Sequence, residues 1–232
     1  KESKKALWNK INKFFINKCS NNEACWIKQD KLKNINDEIS YYTFKPEFPN
    51  KWKKNKHTWL NSQDIYNLMK QYEKKIDDFI FLGPVPSDCP ESIKCELSNI
   101  NFDKLITNNI NKVGIIYNLD KHNQPGSHWT AVYIDIPNSN INYYDSYGEK
   151  PPKNIYKFMT NTSYKLDKTN KNDSVLIYND KRHQYGGSEC GIYSIYFILQ
   201  RIVGKSMYEI QKQNIKDKDM NDLRRSLFTN YS

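Results

Sequence analysis

The chain has 232 residues, which is enough to bury one sizeable core, so we expect one main domain with at most a small appendage. Hydrophobic residues make up 38% and aromatic residues 14% of the sequence, which excludes a chain that is disordered throughout. No apolar run reaches the roughly 20 residues that span a bilayer, so we expect no membrane partner.

The net charge of +10 is concentrated near the start, because residues 1–60 contain 14 Lys against 6 Asp or Glu. Such a basic region is compatible with a nucleic acid or acidic partner. The abundance of Lys, Asn, Ile and Tyr is also typical of a compositionally biased genome, and we prefer that explanation.

Five cysteines form an odd set without CxxC pairs. Five residues separate Cys19 from Cys25, and likewise Cys89 from Cys95, which is too wide for a common zinc knuckle. We therefore expect ordinary buried thiols and a reducing compartment, with a four-cysteine metal site as the minor alternative.

Apolar spacing predicts the elements in chain order. An amphipathic helix is expected over 4–17, and we assign residues 1–50 to an N-terminal helical, basic extension. A second helix over 62–76 begins near an N-cap at Asn61 or Ser62. Strands are expected at 79–82 and 113–117, an antiparallel hairpin at 128–136 and 141–145, and another strand at 175–178. Further helices are expected from Pro151 to about Met159, over 190–203 and over 219–228. This order predicts a mixed α+β domain over residues 51–232.

Three polar residues stand at the ends of these elements. His128 opens one strand of the hairpin and Asp145 closes the other, so antiparallel pairing places them at one edge of the sheet. Cys190 stands at the start of an apolar helix, where unpaired N–H groups and the helix dipole stabilise a thiolate. A histidine can pair with such a thiolate while a carboxylate orients the imidazole. The pattern predicts nucleophilic catalysis by Cys190.

Gln184 precedes the cysteine by six residues, across a turn with two glycines. Its side-chain NH2 and the backbone N–H of Cys190 are candidates for binding the oxyanion of a tetrahedral intermediate. Cys190, His128 and Asp145 each have a structural explanation when taken alone, as a buried thiol, a strand-end histidine and a turn former. The combination of all four residue types on the elements that each role requires favours catalysis.

These residues resemble the ubiquitin-like-protein-specific cysteine protease family, which includes the SUMO proteases and the adenovirus protease. The resemblance lies in the SHW segment, the Asp 17 residues after His128, the Q-x5-C-G block ending in CGIYSIYFI, and the helix opening at TWLNSQDIY. CSNNEACWI and KDKDMNDLRRSLF are similar to the polyprotein protease of African swine fever virus and its relatives in large DNA viruses.

The resemblance implies a papain-like core of the adenovirus-protease type, with a mixed central sheet flanked by helices. It also implies that Trp59 and Trp129 form a narrow tunnel around the substrate main chain, which glycine alone passes without a clash. Core packing is the other explanation for the two tryptophans. No cofactor or metal is implied.

The expected activity is that of a cysteine endopeptidase cutting after Gly-Gly in viral structural polyproteins, in the host cytoplasm and the virion. The first alternative is a protease that removes SUMO or ubiquitin-like proteins, in the cytoplasm or nucleus. The second is a non-catalytic binder of ubiquitin-like tails or of nucleic acid.

Overall fold

The computed structural model describes residues 3–19, 25–26, 29, 45–46, 51–55 and 57–228. Its strands are β1 (Phe79–Phe81), β2 (Val85–Pro86), β3 (Lys112–Asn118), β4 (Trp129–Asp135), β5 (Asn140–Tyr144) and β6 (Val175–Tyr178). Its helices are α1 (Lys4–Cys19), α2 (Lys51–Lys54), α3 (Ser62–Lys75), α4 (Phe102–Thr107), α5 (Lys153–Asn170), α6 (Cys190–Ile202), α7 (Met207–Lys212) and α8 (Asp217–Leu227), with a 3-10 helix at Glu96–Asn99.

One mixed sheet organises the domain, in the order β1-β3-β4-β5-β6 with β2 also paired to β3. The β3–β4 and β4–β5 pairs are antiparallel, whereas β1, β2 and β6 pair in parallel with their neighbours. The predicted hairpin is confirmed, since Ala131 lies opposite Tyr144 and Asp135 opposite Asn140.

Both faces of the sheet are buried, which follows from the alternation of side chains along β4. Ala131 and Tyr133 belong to the core on the side of α3 and α6. Val132 and Ile134 belong to the core on the side of α5. The predicted α+β class is confirmed.

The predicted start of α3 is confirmed at Asn61. The Asn61 side chain accepts a hydrogen bond from the Asp64 backbone N–H, and the Asp64 carboxylate accepts one from the Asn61 N–H, both at 2.9 Å. Such a capping box supplies partners for N–H groups that the first helical turn leaves free.

The prediction that the helix after Pro151 ends near Met159 is wrong, because α5 continues to Asn170. Polar residues interrupt the apolar stripe after Met159, yet the helix buries Thr162 and Ser163 together with Leu166. The short elements β2, α2, α4 and α7 were not predicted, since β2 has only two residues and a helix of four to six residues is too short to show an apolar stripe.

The predicted N-terminal helix is confirmed by α1, whose Phe15 and Cys19 form a small cluster with Trp26. Most of the remaining extension lies outside the described residues, and the boundary at residue 50 stays a prediction. Trp52 in α2 packs against Phe228 with ring centroids 5.1 Å apart, within the main core.

The expectation of free thiols is wrong for four cysteines, which form the disulfides Cys19–Cys25 and Cys89–Cys95. The two Cα atoms of each pair are 5.4 Å and 6.1 Å apart, within the range that a disulfide spans. Sequence spacing does not reveal how closely the chain folds back. The inferred reducing compartment, which rested on free thiols, therefore loses its basis.

No helix in the described part of the chain is long and apolar enough to cross a bilayer. Among the same residues, no group of three or more His, Cys, Asp or Glu side chains is placed to hold a metal ion.

Gly114 in β3 provides a test of how tightly α6 packs on the sheet. A Cβ at this position would lie 3.0 Å from the Phe79 ring and 3.1 Å from Cγ2 of Ile198. We expect Gly114→Ala to lower the free energy of unfolding by about 1–3 kcal/mol, because neither neighbour can move freely.

Chemical denaturation measures this loss, with Gly187→Ala as the matched control. Gly187 has no heavy atom within 4 Å of its ideal Cβ, so its substitution should leave stability nearly unchanged. Equal unfolding free energies for both variants would contradict the packing described here.

Candidate active site

His128 and Asp145 meet at one edge of the sheet, immediately before β4 and immediately after β5. Nε2 of His128 lies 2.8 Å from Oδ1 of Asp145. The two residues are only 9% and 2% exposed, so the contact is shielded from water. A carboxylate at Nε2 holds the imidazole in one orientation and leaves Nδ1 for a second partner.

Cys190 is that second partner. It is the first residue of α6 and is 2% exposed. Among the described residues it is the one free cysteine. Its thiol lies close enough to His128 to raise the pKa of the ring. Because Nε2 is already occupied by Asp145, Nδ1 is the ring nitrogen left for the thiol. The structure thus brings thiol, imidazole and carboxylate into one chain of contacts.

The electrostatics favour a charged imidazole. Burial alone would lower the pKa of His128, but hydrogen bonds and charge interactions with Asp145 and Cys190 outweigh burial and raise the pKa to about 9. At neutral pH the ring is therefore protonated. In cysteine nucleophiles generally, the thiolate is the reactive form and an imidazolium is a partner that stabilises it.

The backbone of Asp145 is held in place by the side chain of Asn179. The Asp145 N–H donates to Oδ1 of Asn179 at 2.8 Å, and Nδ2 of Asn179 donates to the Asp145 carbonyl at 2.7 Å. Oδ1 of Asp145 also accepts the backbone N–H of Tyr147 at 2.8 Å. Asn179 is buried just after β6, so the Asp145 backbone is held by Asn179 while the carboxylate is held by His128 and the Tyr147 N–H.

Tyr147 covers one face of the catalytic imidazole. Its ring stacks on His128 with centroids 4.7 Å apart and planes 12° apart. Continuing the β4–β5 register beyond the Ala131–Tyr144 pair places residue 147 opposite residue 128, which explains the contact. The guanidinium of Arg182 also lies over the Tyr147 ring, 5.0 Å from its centroid.

Sequence reasoning missed Asn179 and Tyr147. Asn179 ends a strand and Tyr147 sits in a turn, positions where such residues are common for local reasons. The one sequence feature that pointed to Tyr147 is the hairpin register, which requires the exact turn length to be known.

Gln184 is fully buried beside the site. Its side-chain oxygen accepts the Ser146 hydroxyl at 2.6 Å, and Nε2 donates to the Gly186 carbonyl at 2.8 Å. Nε2 also lies 3.5 Å from the Tyr147 hydroxyl. The orientation of the amide is set by these partners, and one of its two hydrogens is not taken by the Gly186 contact.

Trp59 and Trp129 occupy different environments. Trp59 is 41% exposed and donates from Nε1 to the Gly187 carbonyl at 2.6 Å. Trp129 is 4% exposed, donates from Nε1 to the Leu60 carbonyl at 2.9 Å and belongs to the core. Little of the Trp129 surface is therefore open to a substrate.

An open cavity of about 470 Å³ adjoins the turn before Cys190. Trp59 forms one side of it and the backbone of residues 186–189 another. His57, Asp217 and Asn221 complete its lining.

A buried thiol at a helix start, paired with an imidazole and a carboxylate on an adjacent sheet edge, defines a cysteine peptidase. The profile of the Ulp1 protease family, C-terminal catalytic domain, matches residues 107–232. A protein of Acanthamoeba polyphaga mimivirus, assigned as a thiol protease, is 34% identical over 99% of this chain and 76% of its own length. The chain therefore belongs to the Ulp1 protease family and is a cysteine-type peptidase.

Solved structures share the fold. The crystal structure of the African swine fever virus protease superposes with a TM-score of 0.76 at 24% identity, covering 98% of this chain and 91% of that one. In sequence, a cysteine protease of this virus is 30% identical over 54% of this chain and 46% of its own length. The yeast Ulp1 protease domain, in complex with the yeast orthologue of SUMO, gives 0.56 at 22% identity, covering 82% and 89%.

The raised pKa of His128 has a direct test by NMR titration of the histidines. We expect His128 to titrate near 9, above its ordinary value of 6.5, whereas burial lowers the pKa of His183 and provides an internal control. Asp145→Ala should move the His128 midpoint to lower pH, and Asp145→Asn should move it less, because an amide oxygen still accepts the hydrogen bond.

This shift also links pH to stability. Because the pKa of His128 is higher in the folded state, its contribution is complete below about pH 6.5 and is lost as pH rises through about 9. A His128 midpoint at or below 6.5 in the native protein would contradict the contacts described above.

Proposed function

We propose that Cys190 is the nucleophile of a cysteine endopeptidase, with His128 as its base and acid and Asp145 as the orienting group. The observation that carries this proposal is the position of His128, whose Nε2 lies 2.8 Å from Oδ1 of Asp145 and whose pKa is raised by both Asp145 and the nearby Cys190 thiol. Each group thereby has the neighbour that its role requires.

In the proposed reaction the Cys190 thiolate attacks the scissile carbonyl carbon, and the carbonyl π electrons move to the oxygen. When the tetrahedral intermediate collapses, protonated His128 gives its proton to the departing amine and a thioester remains. Neutral His128 then removes a proton from water as the water oxygen attacks the thioester. Collapse of this second intermediate releases the carboxylic acid and regenerates the Cys190 thiolate beside protonated His128.

The oxyanion is bound by the Cys190 N–H and the Gln184 NH2. The Glu189 carbonyl accepts the Tyr193 N–H at 2.9 Å, so the Cys190 N–H of the same peptide plane points out of the helix end. Gln184 donates one hydrogen to the Gly186 carbonyl at 2.8 Å, and the second, which the Tyr147 hydroxyl accepts at the longer distance of 3.5 Å, is assigned to the oxyanion when substrate binds. Removing one such donor costs roughly 2.7–4 kcal/mol in other enzymes.

The proposed substrate is a protein cut after Gly-Gly. Trp59 lies half exposed along the cavity beside residues 186–189, where a flat indole would exclude a substrate Cβ. Trp129 packs against the start of the nucleophile helix, so its proposed part in the tunnel is confined to the 4% of its surface that is exposed.

Viral structural polyproteins are the favoured substrates, with action in the host cytoplasm and the virion. Support comes from two viral proteases. The mimivirus protein is similar in sequence over 99% of this chain, and the African swine fever virus protease is similar in fold over 98% of it. The complex of yeast Ulp1 with a SUMO orthologue favours ubiquitin-like proteins as the second candidate. The basic N-terminal region is retained as a possible contact for nucleic acid.

Cleavage assays distinguish these substrates. The enzyme is incubated with Gly-Gly-X peptides and with SUMO and ubiquitin fusions, and products are identified by mass spectrometry. Cleavage of peptides but not of the fusions supports polyprotein processing, whereas efficient cleavage of folded fusions supports the second candidate. A salt-dependent mobility shift with DNA tests the nucleic acid contact.

Replacing the nucleophile tests the catalytic assignment. We expect Cys190→Ala and Cys190→Ser to lower kcat by at least about 10³-fold, since the covalent step is lost. Thermal unfolding should show both variants folded, because the thiol is small and serine nearly preserves its shape. Activity within tenfold of native in either folded variant would rule out Cys190.

Trp59 tests the origin of glycine selectivity. We expect Trp59→Ala to lower kcat/KM for Gly-Gly peptides and to narrow their advantage over Gly-Ala and Ala-Gly peptides, because the indole wall is gone. Trp59→Phe is the matched control, since it keeps an aromatic wall but loses the hydrogen bond to Gly187. If selectivity is unchanged in folded Trp59→Ala, the tryptophan has no part in it.

A further inference from the structure

The loop of residues 184–189, which we call the nucleophile loop, has three of its carbonyl groups held by side chains, two of which come from distant segments. Gln184 donates to the Gly186 carbonyl at 2.8 Å, Trp59 to that of Gly187 at 2.6 Å and Arg224 to that of Ser188 at 2.8 Å. Because a trans peptide points its N–H opposite to its carbonyl, these three contacts also set the direction of the following N–H groups.

Helix α8 contacts the nucleophile loop through three of its side chains. Asp217, Asn221 and Arg224 are spaced by four and three residues, which places them on one helix face. All three make hydrogen bonds to the nucleophile loop, so this face of α8 is turned towards the residues that precede Cys190.

Asp217 binds the start of the loop. Its Oδ2 accepts the backbone N–H of Gly186 at 2.7 Å and that of Tyr185 at 3.0 Å. The site leaves no room for a side chain, since a Cβ on Gly186 would approach Oε2 of Glu189 to 2.7 Å and Oδ2 of Asp217 to 3.3 Å. As the first residue of α8, Asp217 also lies at the end of the helix that favours a negative charge.

Asn221 and Arg224 bind the end of the loop. Asn221 donates to Oε1 of Glu189 at 3.2 Å, and Glu189 also accepts the Ser188 N–H at 3.0 Å and the Ser188 hydroxyl at 2.6 Å. Arg224 is 2% exposed and bridges the Ser188 carbonyl to the Thr58 carbonyl, each at 2.8 Å. One guanidinium therefore connects the residue two before Cys190 with the residue before Trp59.

We infer that α8 is the element that positions the oxyanion-binding groups, with Asp217, Asn221 and Arg224 as positioning residues that act through the nucleophile loop. This inference deepens the proposed function and rests on its assignment of Cys190 and Gln184. Loss of these contacts should leave His128 and Cys190 paired but should displace the Cys190 N–H and the Gln184 amide from the developing oxyanion.

Two reagents distinguish a displaced oxyanion site from a change in the reactivity of the Cys190 thiol. Acetyl transfer from p-nitrophenyl acetate to the Cys190 sulfur forms a thioester, releases p-nitrophenolate and passes through a tetrahedral oxyanion. Alkylation by iodoacetamide displaces iodide from a saturated carbon and involves no oxyanion. Neither reagent depends on the Gly-Gly preference, and mass spectrometry locates the acetyl or carbamidomethyl group on Cys190.

We expect Asp217→Ala and Asn221→Ala to slow acetylation by about tenfold or more, with alkylation changed by less than about twofold. Asp217→Asn should be slowed less than Asp217→Ala, since it keeps one acceptor oxygen. With a Gly-Gly peptide, kcat should fall while KM changes little. The control is Asp222→Ala on the same helix, whose carboxylate is exposed and pairs with Arg225.

If Asp217→Ala does not fold, Asp217→Asn and Asn221→Ala carry the test. Acetylation at the native rate in these folded variants would overturn the role of α8 and leave the proposed function intact. An equal fall in the rates of acetylation and alkylation would also overturn the role of α8, because the substitution would then have changed the reactivity of the Cys190 sulfur itself. A native enzyme that is not acetylated on Cys190 would overturn the proposed nucleophile and this inference with it.

Discussion

The distance between the nucleophile and its base depends on a close contact between Gly191 and Trp129. These residues adjoin Cys190 and His128, and a Cβ on Gly191 would lie 3.3 Å from Cδ1 of Trp129 and 3.2 Å from Leu60. The Trp129 indole is itself fixed by its hydrogen bond to the Leu60 carbonyl. A larger residue at 191 would push the start of α6 away from β4 and separate thiol from imidazole.

The contact between Gly191 and Trp129 sets the distance between thiol and imidazole because the surrounding core is closely packed. The helix that carries Cys190 is apolar along most of its length and packs on the face of the sheet that contains Ala131 and Tyr133. Close-packed interiors resist small displacements, so the helix start is held to within a fraction of an ångström. The same packing accounts for a tryptophan that is conspicuous in sequence and yet nearly hidden in the structure.

Polar residues beneath the site extend this rigidity to the catalytic groups. Asn179, Ser146 and Gln184 are buried, and each makes a hydrogen bond to another part of the site. A buried polar group that loses its partner costs about 1–3 kcal/mol, so alternative arrangements of these side chains are disfavoured. The imidazole orientation and the Gln184 amide orientation are consequently set before any substrate binds.

The sequence by itself determined the order of the main elements, the hairpin and the positions of His128, Asp145, Gln184 and Cys190 on them. Those inferences rest on local periodicity, turn residues and helix ends, which short stretches of chain encode. The disulfides, the full length of α5 and the burial of Trp129 were decided only by the tertiary structure. So were the contacts of Asn179, Tyr147 and α8 with the site. Each of these depends on residues far apart in the chain being brought together by packing, a distance that no local pattern contains.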